Sequence, residues 1–259
     1  MIKVLINGAL GKMGTTLINA INRDSDLELV GAVDIAIKNE PDGNIFDVFT
    51  SSDLKKAIEK TSPNVVVDFT QPSSVFENAK LCLEANTNIV IGTTGLSEDQ
   101  IKTLETISKQ KGVGCLIAPN FSTGAVLMMK FAQMAAQYFD NAEIIEFHHN
   151  KKKDAPSGTA VKTAQMMAQV KSDFTLDNCE ETETILGARG GIAKSKLHIH
   201  SVRMPGFMAS QEIIFGGKGQ TLKIIHDSHD RECYMPGIIL AIKHIAKTKE
   251  FIYGLENIL

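Results

Sequence analysis

Cysteine, excess charge of either sign and long apolar runs are all scarce in this chain of 259 residues. The four cysteines, Cys82, Cys115, Cys179 and Cys233, stand far apart, and no two have the spacing of a metal-binding pair. They read as reduced core thiols of a cytoplasmic protein. A formal net charge of -3 gives no general attraction for nucleic acid, and the lysines that cluster do so in one short stretch. No apolar run is long enough to span a bilayer. Met1 leads directly into a strand-like run, so neither a signal peptide nor a membrane partner is expected. The hydrophobic fraction, 43%, suffices for the core of one large domain or two smaller ones.

The most informative stretch runs from Glu146 to Ala160, EFHHNKKKDAPSGTA. Ile144, Ile145 and Phe147 suit the end of a strand, and His148 and His149 follow at once. Lys151 to Lys153 come next, then Asp154, Pro156, Ser157, Gly158 and Thr159. An amphipathic run from Val161 to Val170 reads as a helix. Proline is tolerated near a helix start, where amides lack partners in the helix. The amides of Ser157, Gly158 and Thr159 should therefore head the positive end of a helix dipole, a place that binds carboxylate or phosphate. Histidine moves protons near neutral pH. These residues imply a small anionic substrate held by a helix start and lysine, with histidine as the acid. A basic solvated loop would explain KKK alone, but not the paired histidines or the P-S-G-T helix start.

The beginning of the chain carries a second pattern. Ile2 to Asn7 is a short apolar strand, followed by Gly8-Ala9-Leu10-Gly11-Lys12-Met13-Gly14 and a helix with Met13, Leu17, Ile18 and Ile21 on one face. Leu27 to Asp34 is a second strand ending in an acid. Strand, glycine turn, helix, strand and acid is the order of a dinucleotide site. The glycine spacing is G-x-x-G-x-x-G rather than G-x-G-x-x-G. Gly8, Leu10, Gly11, Lys12, Met13 and Gly14 are expected to meet the pyrophosphate side of a cofactor, and Asp34 its adenosine ribose. A carboxylate there favours a free 2′-hydroxyl, and Ile35 stands where a phosphate-preferring site would carry arginine. NADH is therefore expected over NADPH, although Lys12 and Lys38 leave room for dual use.

Strands and helices then alternate. Asp53 to Lys60, Ser74 to Ala85 and the helix of Ile101, Leu104 and Ile107 separate the strands Val65 to Phe69, Asn88 to Ile91 and Val113 to Ile117. Ser97 and Gln100 have capping-box spacing, and Gly112 ends that helix. Short connections imply a Rossmann-like parallel sheet wound on both faces, with ligands at the carboxyl ends of its strands. Phe69-Thr70, Gly92 to Gly95 and Ala118 to Phe121 lie at those ends. Composition changes near Asn120. Thr123 to Phe139 is a Met- and Ala-rich helix in which Met128, Met129 and Met134 are expected in the core. Thr175 to Lys194 is polar, with Gly187, Gly190 and Gly191, and reads as a mobile loop. Leu197 to Met204, Gln211 to Phe215 and Thr221 to His226 succeed one another as strands, which predicts an α+β second domain with an open, mixed sheet. The open side of that sheet needs a cover, most simply another subunit. Pro236 to Lys247 is a last helix. His198 and His200 share a strand face but show no third ligand, so no metal is expected. His226, His229 and His244 read as structural or exposed.

EFHHNKKKDAPSGTA closely resembles the signature of the 4-hydroxy-tetrahydrodipicolinate (dihydrodipicolinate) reductase family, and the resemblance extends from Met1 to Leu259. It is most specific at Gly8 to Gly14, Gly92 to Gly95, Ala118 to Phe121 and Glu146 to Ala160, with Ser201-Val202-Arg203 and Pro205-Gly206 also matching. It implies an NAD(P)H-dependent reductase of the diaminopimelate and lysine pathway. Residues 1–121 and 229–259 would bind the dinucleotide, and 122–228 would bind substrate and form a homotetramer. It places Phe69, Gly92, Thr93, Thr94, Ala118, Asn120 and Phe121 with the cofactor. The implied substrate is a cyclic imine or dienamine with two carboxylates. His148 is then the acid or charge stabiliser, and Lys152 aids proton supply and substrate binding. Ser157, Gly158 and Thr159 would hold one carboxylate, with His149 and Lys151 lining the pocket. Lys153 has no role. Two alternatives are another two-domain reductase and a dinucleotide sensor without catalysis. The first calls for an E-K-P-type loop and the second for a helix-turn-helix or a basic surface, and neither is evident.

Overall fold

The computed structural model describes residues 1–37, 46–174 and 182–259. Lys38, Cys179 and residues 175–181 of the polar stretch lie outside the described residues. In chain order the elements are β1 (Ile2–Asn7), α1 (Lys12–Ile21), β2 (Leu27–Val33), β3 (Phe49–Ser51), α2 (Leu54–Thr61), β4 (Val65–Asp68), α3 (Val75–Glu84), β5 (Asn88–Ile91), α4 (Glu98–Lys111) and β6 (Cys115–Ile117). They continue as α5 (Thr123–Ala136), β7 (Asn141–His148), α6 (Gly158–Val170), β8 (Gly191–Ile192), β9 (His198–Arg203), β10 (Ala209–Gly217), β11 (Gln220–Ser228), α7 (Met235–Ile245) and β12 (Phe251–Tyr253). The chain divides into two units, Met1–Ser122 with Tyr234–Leu259, and Thr123–Cys233.

The first unit is built on a seven-stranded sheet in the order β12-β6-β5-β4-β1-β2-β3, with every neighbouring pair parallel. Its central strands read as unbroken apolar runs because helices cover both faces. Leu5, Val66, Ile89, Ile91 and Cys115 pack on one side with Leu54, Ala57, Val75, Ala79 and Leu104 from α2, α3 and α4. On the other side α7 lies against β4, β5 and β6 and meets α1. The helix ends follow local chemistry. Asp53 caps α2 by accepting from the Lys56 amide, Ser97 and Gln100 form the expected capping box, and Gly112 leaves α4 with φ 61°. Strand order reverses at β1, between β2 and β4, which opens a crevice at the carboxyl ends of β1 and β4.

The second unit carries a five-stranded mixed sheet, β11-β10-β7-β9-β8. β7 runs antiparallel to β10 and parallel to β9. The inner face presents Ile144, Ile199, Ile213 and Phe215, all buried. α6 packs against β7 and α5 against β10 and β11, with the two helices also in contact. The prediction for Met134 fails. Met128 and Met129 are buried, but Met134 is 58% exposed. It shares an outward stripe with Leu127, Phe131 and Tyr138, spaced four, three and four residues apart along the α5 region. A helix apolar all round gives no sign in its sequence of which face turns inward. The polar stretch is also less featureless than a loop: its described end forms β8 against β9.

Candidate active site

In the first unit, each loop that leaves a strand hydrogen-bonds to the end of the strand beside it. Gly8 and Ala9 donate to Val33 O, Phe69 to Asn7 O, Gly92 to Asp68 O, and Ala118 to Ile91 O, at 2.8–3.1 Å. The glycine loop, Phe69, the Gly92–Gly95 loop and Ala118–Phe121 are thereby lined up along one edge of the sheet. Gly8 adopts φ +86°, and a Cβ there would collide with the backbone of Phe69. A Cβ at Gly92 would strike the Phe69 ring. That ring meets Phe121 edge-on with centroids 6.2 Å apart. Asn120 Oδ1 accepts from the Ser122 amide at 2.9 Å, which fixes the turn after β6. Thr94 is exposed.

The start of α1 suits an anion. Gly11 caps the helix without a side-chain hydrogen bond, no acid stands in the first turn, and Gly11 and Lys12 are exposed. Asp34 lies beside the loop: its Oδ2 accepts from the Leu10 amide at 3.0 Å and its Oδ1 from the Ala36 amide at 3.0 Å. The acid that ends β2 is thus part of the loop's own support, with lone pairs left for a ribose hydroxyl. Gly8, Leu10, Gly11 and Asp34 are brought together. These residues fit a nicotinamide dinucleotide, with pyrophosphate at the helix start and ribose at the acid.

Sequence reasoning missed the group that ties these loops together. Asp68 is fully buried at the end of β4. Its Oδ2 accepts from the side-chain amides of Asn7 at 2.8 Å and Asn78 at 2.9 Å. Its Oδ1 accepts from the Thr70 amide at 3.1 Å, the Thr70 hydroxyl at 2.7 Å and the Thr93 hydroxyl at 2.8 Å. One carboxylate therefore connects β1, α3 and the loops after β4 and β5. The available signal was an acid closing an otherwise apolar strand, VVVD.

In the second unit, the alternation of β7 places Ala142, Ile144, Glu146 and His148 on one face. Glu146 is fully buried and uses both oxygens. Oε2 faces Nδ1 of His148, and Oε1 accepts from Arg203 Nη2 at 2.7 Å. Burial by itself would push this carboxyl up. Hydrogen bonds from His148, Arg203 and Ser201 more than offset burial and hold it at about 2. Arg203 also donates to Asp154 O at 2.8 Å, so one guanidinium pins both the carboxylate and the loop that leads to α6. In that loop Lys152 Nζ pairs with both oxygens of Asp154 at 2.8 Å, and this ammonium holds the Asp154 carboxyl below its usual value. His149 Nδ1 accepts from the Lys151 amide at 3.2 Å. Ser157 caps α6 by accepting from the Ala160 amide at 3.2 Å, and no acid stands in the first turn. Gly158 has nothing within 4 Å of where a Cβ would lie. The helix start at Ser157, Gly158 and Thr159, exposed at Gly158, thus follows directly on the loop that carries His149 and Lys152. Glu146 and Arg203 received no role from the sequence, since 57 residues separate them. His200 and His198 have other partners, Glu143 Oε2 at 2.8 Å and Arg189 O at 2.6 Å. Among the described residues no cluster of three or more His, Cys, Asp or Glu side chains could hold a metal.

Family models cover nearly the whole chain: "Dihydrodipicolinate reductase, N-terminus" matches residues 2–121 and "Dihydrodipicolinate reductase, C-terminus" residues 124–259. The chain belongs to the dihydrodipicolinate reductase family. Among its relatives, the 4-hydroxy-tetrahydrodipicolinate reductase of Syntrophomonas wolfei is 50% identical over 99% of this chain and 98% of its own. The enzyme of the same name from Gloeothece citriformis is 47% identical over 100% and 98%. The dipicolinate-bound dihydrodipicolinate reductase of Paenisporosarcina sp. TG-14 superimposes with a TM-score of 0.92 at 43% identity, covering all of both chains. An amine dehydrogenase from Mycobacterium smegmatis, 12% identical with a TM-score of 0.64 over 98% of this chain and 95% of its own, shares the fold alone. Among the described residues of this dihydrodipicolinate reductase family member, no helix is long and apolar enough to cross a membrane.

Proposed function

We propose that this chain reduces 4-hydroxy-tetrahydrodipicolinate, by way of dihydrodipicolinate, to tetrahydrodipicolinate in the cytoplasmic diaminopimelate and lysine pathway. The observation that carries this reading is the second unit's arrangement. A carboxylate-held histidine ends β7, and the loop after it carries Lys152 and leads into a helix start that is exposed at Gly158. Family membership and the bound dipicolinate of the Paenisporosarcina enzyme, itself a dicarboxylate, support it.

The first unit binds the dinucleotide, with Gly8, Leu10, Gly11, Lys12, Met13 and Gly14 at the pyrophosphate and Asp34 at the ribose. Phe69, Gly92, Thr93, Thr94, Ala118, Asn120 and Phe121 receive the nicotinamide half. When bound, that cofactor supplies the hydride. Asp34 repels a 2′-phosphate, which favours NADH over NADPH. In the second unit, the amides and hydroxyls of Ser157, Gly158 and Thr159 take one substrate carboxylate, aided by a helix dipole worth about 0.3–1 kcal/mol. The Lys152–Asp154 pair is a surface contact, and such pairs contribute at most about 1 kcal/mol. A substrate carboxylate can therefore take Asp154's place on Lys152. His149 lines the same pocket. His148 supplies the proton that the reduced ring needs. Homo-oligomers, a tetramer in the simplest case, cover the open face of the second sheet and the outward stripe of α5.

The test is cofactor oxidation in a coupled assay, with pyruvate, aspartate semialdehyde and the upstream synthase generating the substrate. Rapid loss of NADH absorbance that needs every component is expected, with a slower rate for NADPH. A folded, NADH-binding protein that oxidises neither cofactor would overturn the assignment.

A further inference from the structure

We infer that Glu146 is a positioning residue for this reaction: it holds His148 with a proton on Nδ1, so that Nε2 is the atom that exchanges a proton with the substrate. The inference rests on the proposed reduction and adds to it the atom, the tautomer and the residue that sets them. Glu146 and His148 are two apart on β7 and share its inner face. Glu146 is 0% exposed, so water does not compete for its oxygens. Arg203 Nη2 occupies Oε1 at 2.7 Å and the Ser201 hydroxyl donates to the same carboxylate. With its carboxyl held at about 2, Glu146 has no proton to offer near neutral pH. The hydrogen shared with His148 therefore sits on Nδ1, and the ring's other nitrogen is left for chemistry. The carboxylate also accommodates the doubly protonated ring that a proton donor requires.

Among the described residues, the paired strands and the adjoining loop bring these charged groups towards His148. On β9 its register partner is Arg203, already committed to Glu146 and Asp154 O. On β10 its register partner is Ala209, which carries no charge. His149, Lys152 and Asp154 follow in the loop, with Lys152 and Asp154 paired to each other. Glu146 is thus the acceptor that decides where the ring's proton lies.

Glu146→Gln makes this measurable. Arg203 donates and so keeps the amide oxygen, which turns the amide NH2 towards Nδ1. A neutral His148 must then carry its proton on Nε2, and the doubly protonated ring loses its acceptor. In the coupled assay kcat is expected to fall about 100-fold or more, with NADH dissociation within about twofold of wild type. 15N NMR of histidine-labelled protein gives a signature that a merely structural role would not move. With His148 assigned by its absence in His148→Gln, the neutral wild-type ring is expected to be protonated on Nδ1 and the Glu146→Gln ring on Nε2. Glu146→Asp keeps an acceptor and is expected to retain the wild-type tautomer and recover part of the rate. A neutral wild-type His148 protonated on Nε2 overturns the inference, even if the glutamine variant fails to fold. A Glu146→Gln enzyme with near-wild-type kcat, beside an inactive His148→Gln, overturns it while leaving the proposed reaction intact. Wild-type turnover by His148→Gln removes the proposed acid and this inference with it.

Discussion

Two buried carboxylates, one in each unit, stand at the carboxyl ends of strands, and their partners differ in kind. Asp68 accepts only from neutral donors: the side-chain amides of Asn7 and Asn78, the hydroxyls of Thr70 and Thr93, and one backbone amide. Glu146 accepts from two groups that carry or can carry positive charge, His148 and Arg203. Neutral donors satisfy a buried acid and lock the segments that supply them. A titratable donor couples the acid to a group that can change charge. The first unit uses its acid as a tie among β1, α3 and the loops after β4 and β5, and the second engages its acid with a histidine ring. Burying either charge is tolerable only because every oxygen is engaged.

The largest expected effect comes from removing the ring on the Glu146 side. His148→Gln should lower turnover by about 100- to 10,000-fold while NADH affinity barely changes. A collapse of NADH binding, followed by fluorescence titration, would place His148 with the cofactor instead. Next comes Glu146 itself as a contributor to stability. Its folded-state carboxyl lies at about 2 against an unfolded value of 4.5, so it stabilises the fold above about pH 4.5. That contribution, of order 3 kcal/mol, is lost as pH falls from there towards 2. Urea unfolding at pH 7, 4 and 3 should show the loss in the wild type and a flatter dependence in Glu146→Gln. An identical dependence in both would mean that other carboxylates carry it.

On the Asp68 side, Asp68→Asn should act through binding and stability rather than chemistry. Turning an amide NH2 towards existing donors costs about 1–3 kcal/mol. The expected result is a lower melting temperature and a KM for NADH raised about tenfold, with kcat little changed. A large fall in kcat with KM unmoved would break the contrast between the two acids. The smallest effect belongs to Asp34→Ala, which should narrow the gap between NADH and NADPH by less than about tenfold. Part of any loss would come from the Leu10 amide, which Asp34 also holds. An unchanged ratio of specificity constants would show that other residues set the preference.

Much of the first unit could be read from local pattern. The strands at Ile2–Asn7 and Asn88–Ile91, the α4 capping box and the glycine after it fell where expected, because a few adjacent residues determine each. The short strands β3 and β12 were not legible: three residues show no periodicity, and β12 is a strand only because β6 lies beside it. In the second unit β7, α6 and the loop between them were legible as elements. The inward and outward faces of α5 were not, since apolar residues stand all around it.

Sequence alone therefore determined the longer elements and their order, the glycine loop with its acid, and the histidine–lysine stretch ahead of a helix start. These signals act within one turn or one strand, where spacing along the chain is also spacing in space. Tertiary structure decided which acids matter. Arg203 reaches Glu146 across 57 residues, and Asn7 reaches Asp68 across 61. A buried charge must collect its donors from wherever the fold can bring them, and no local pattern records that choice.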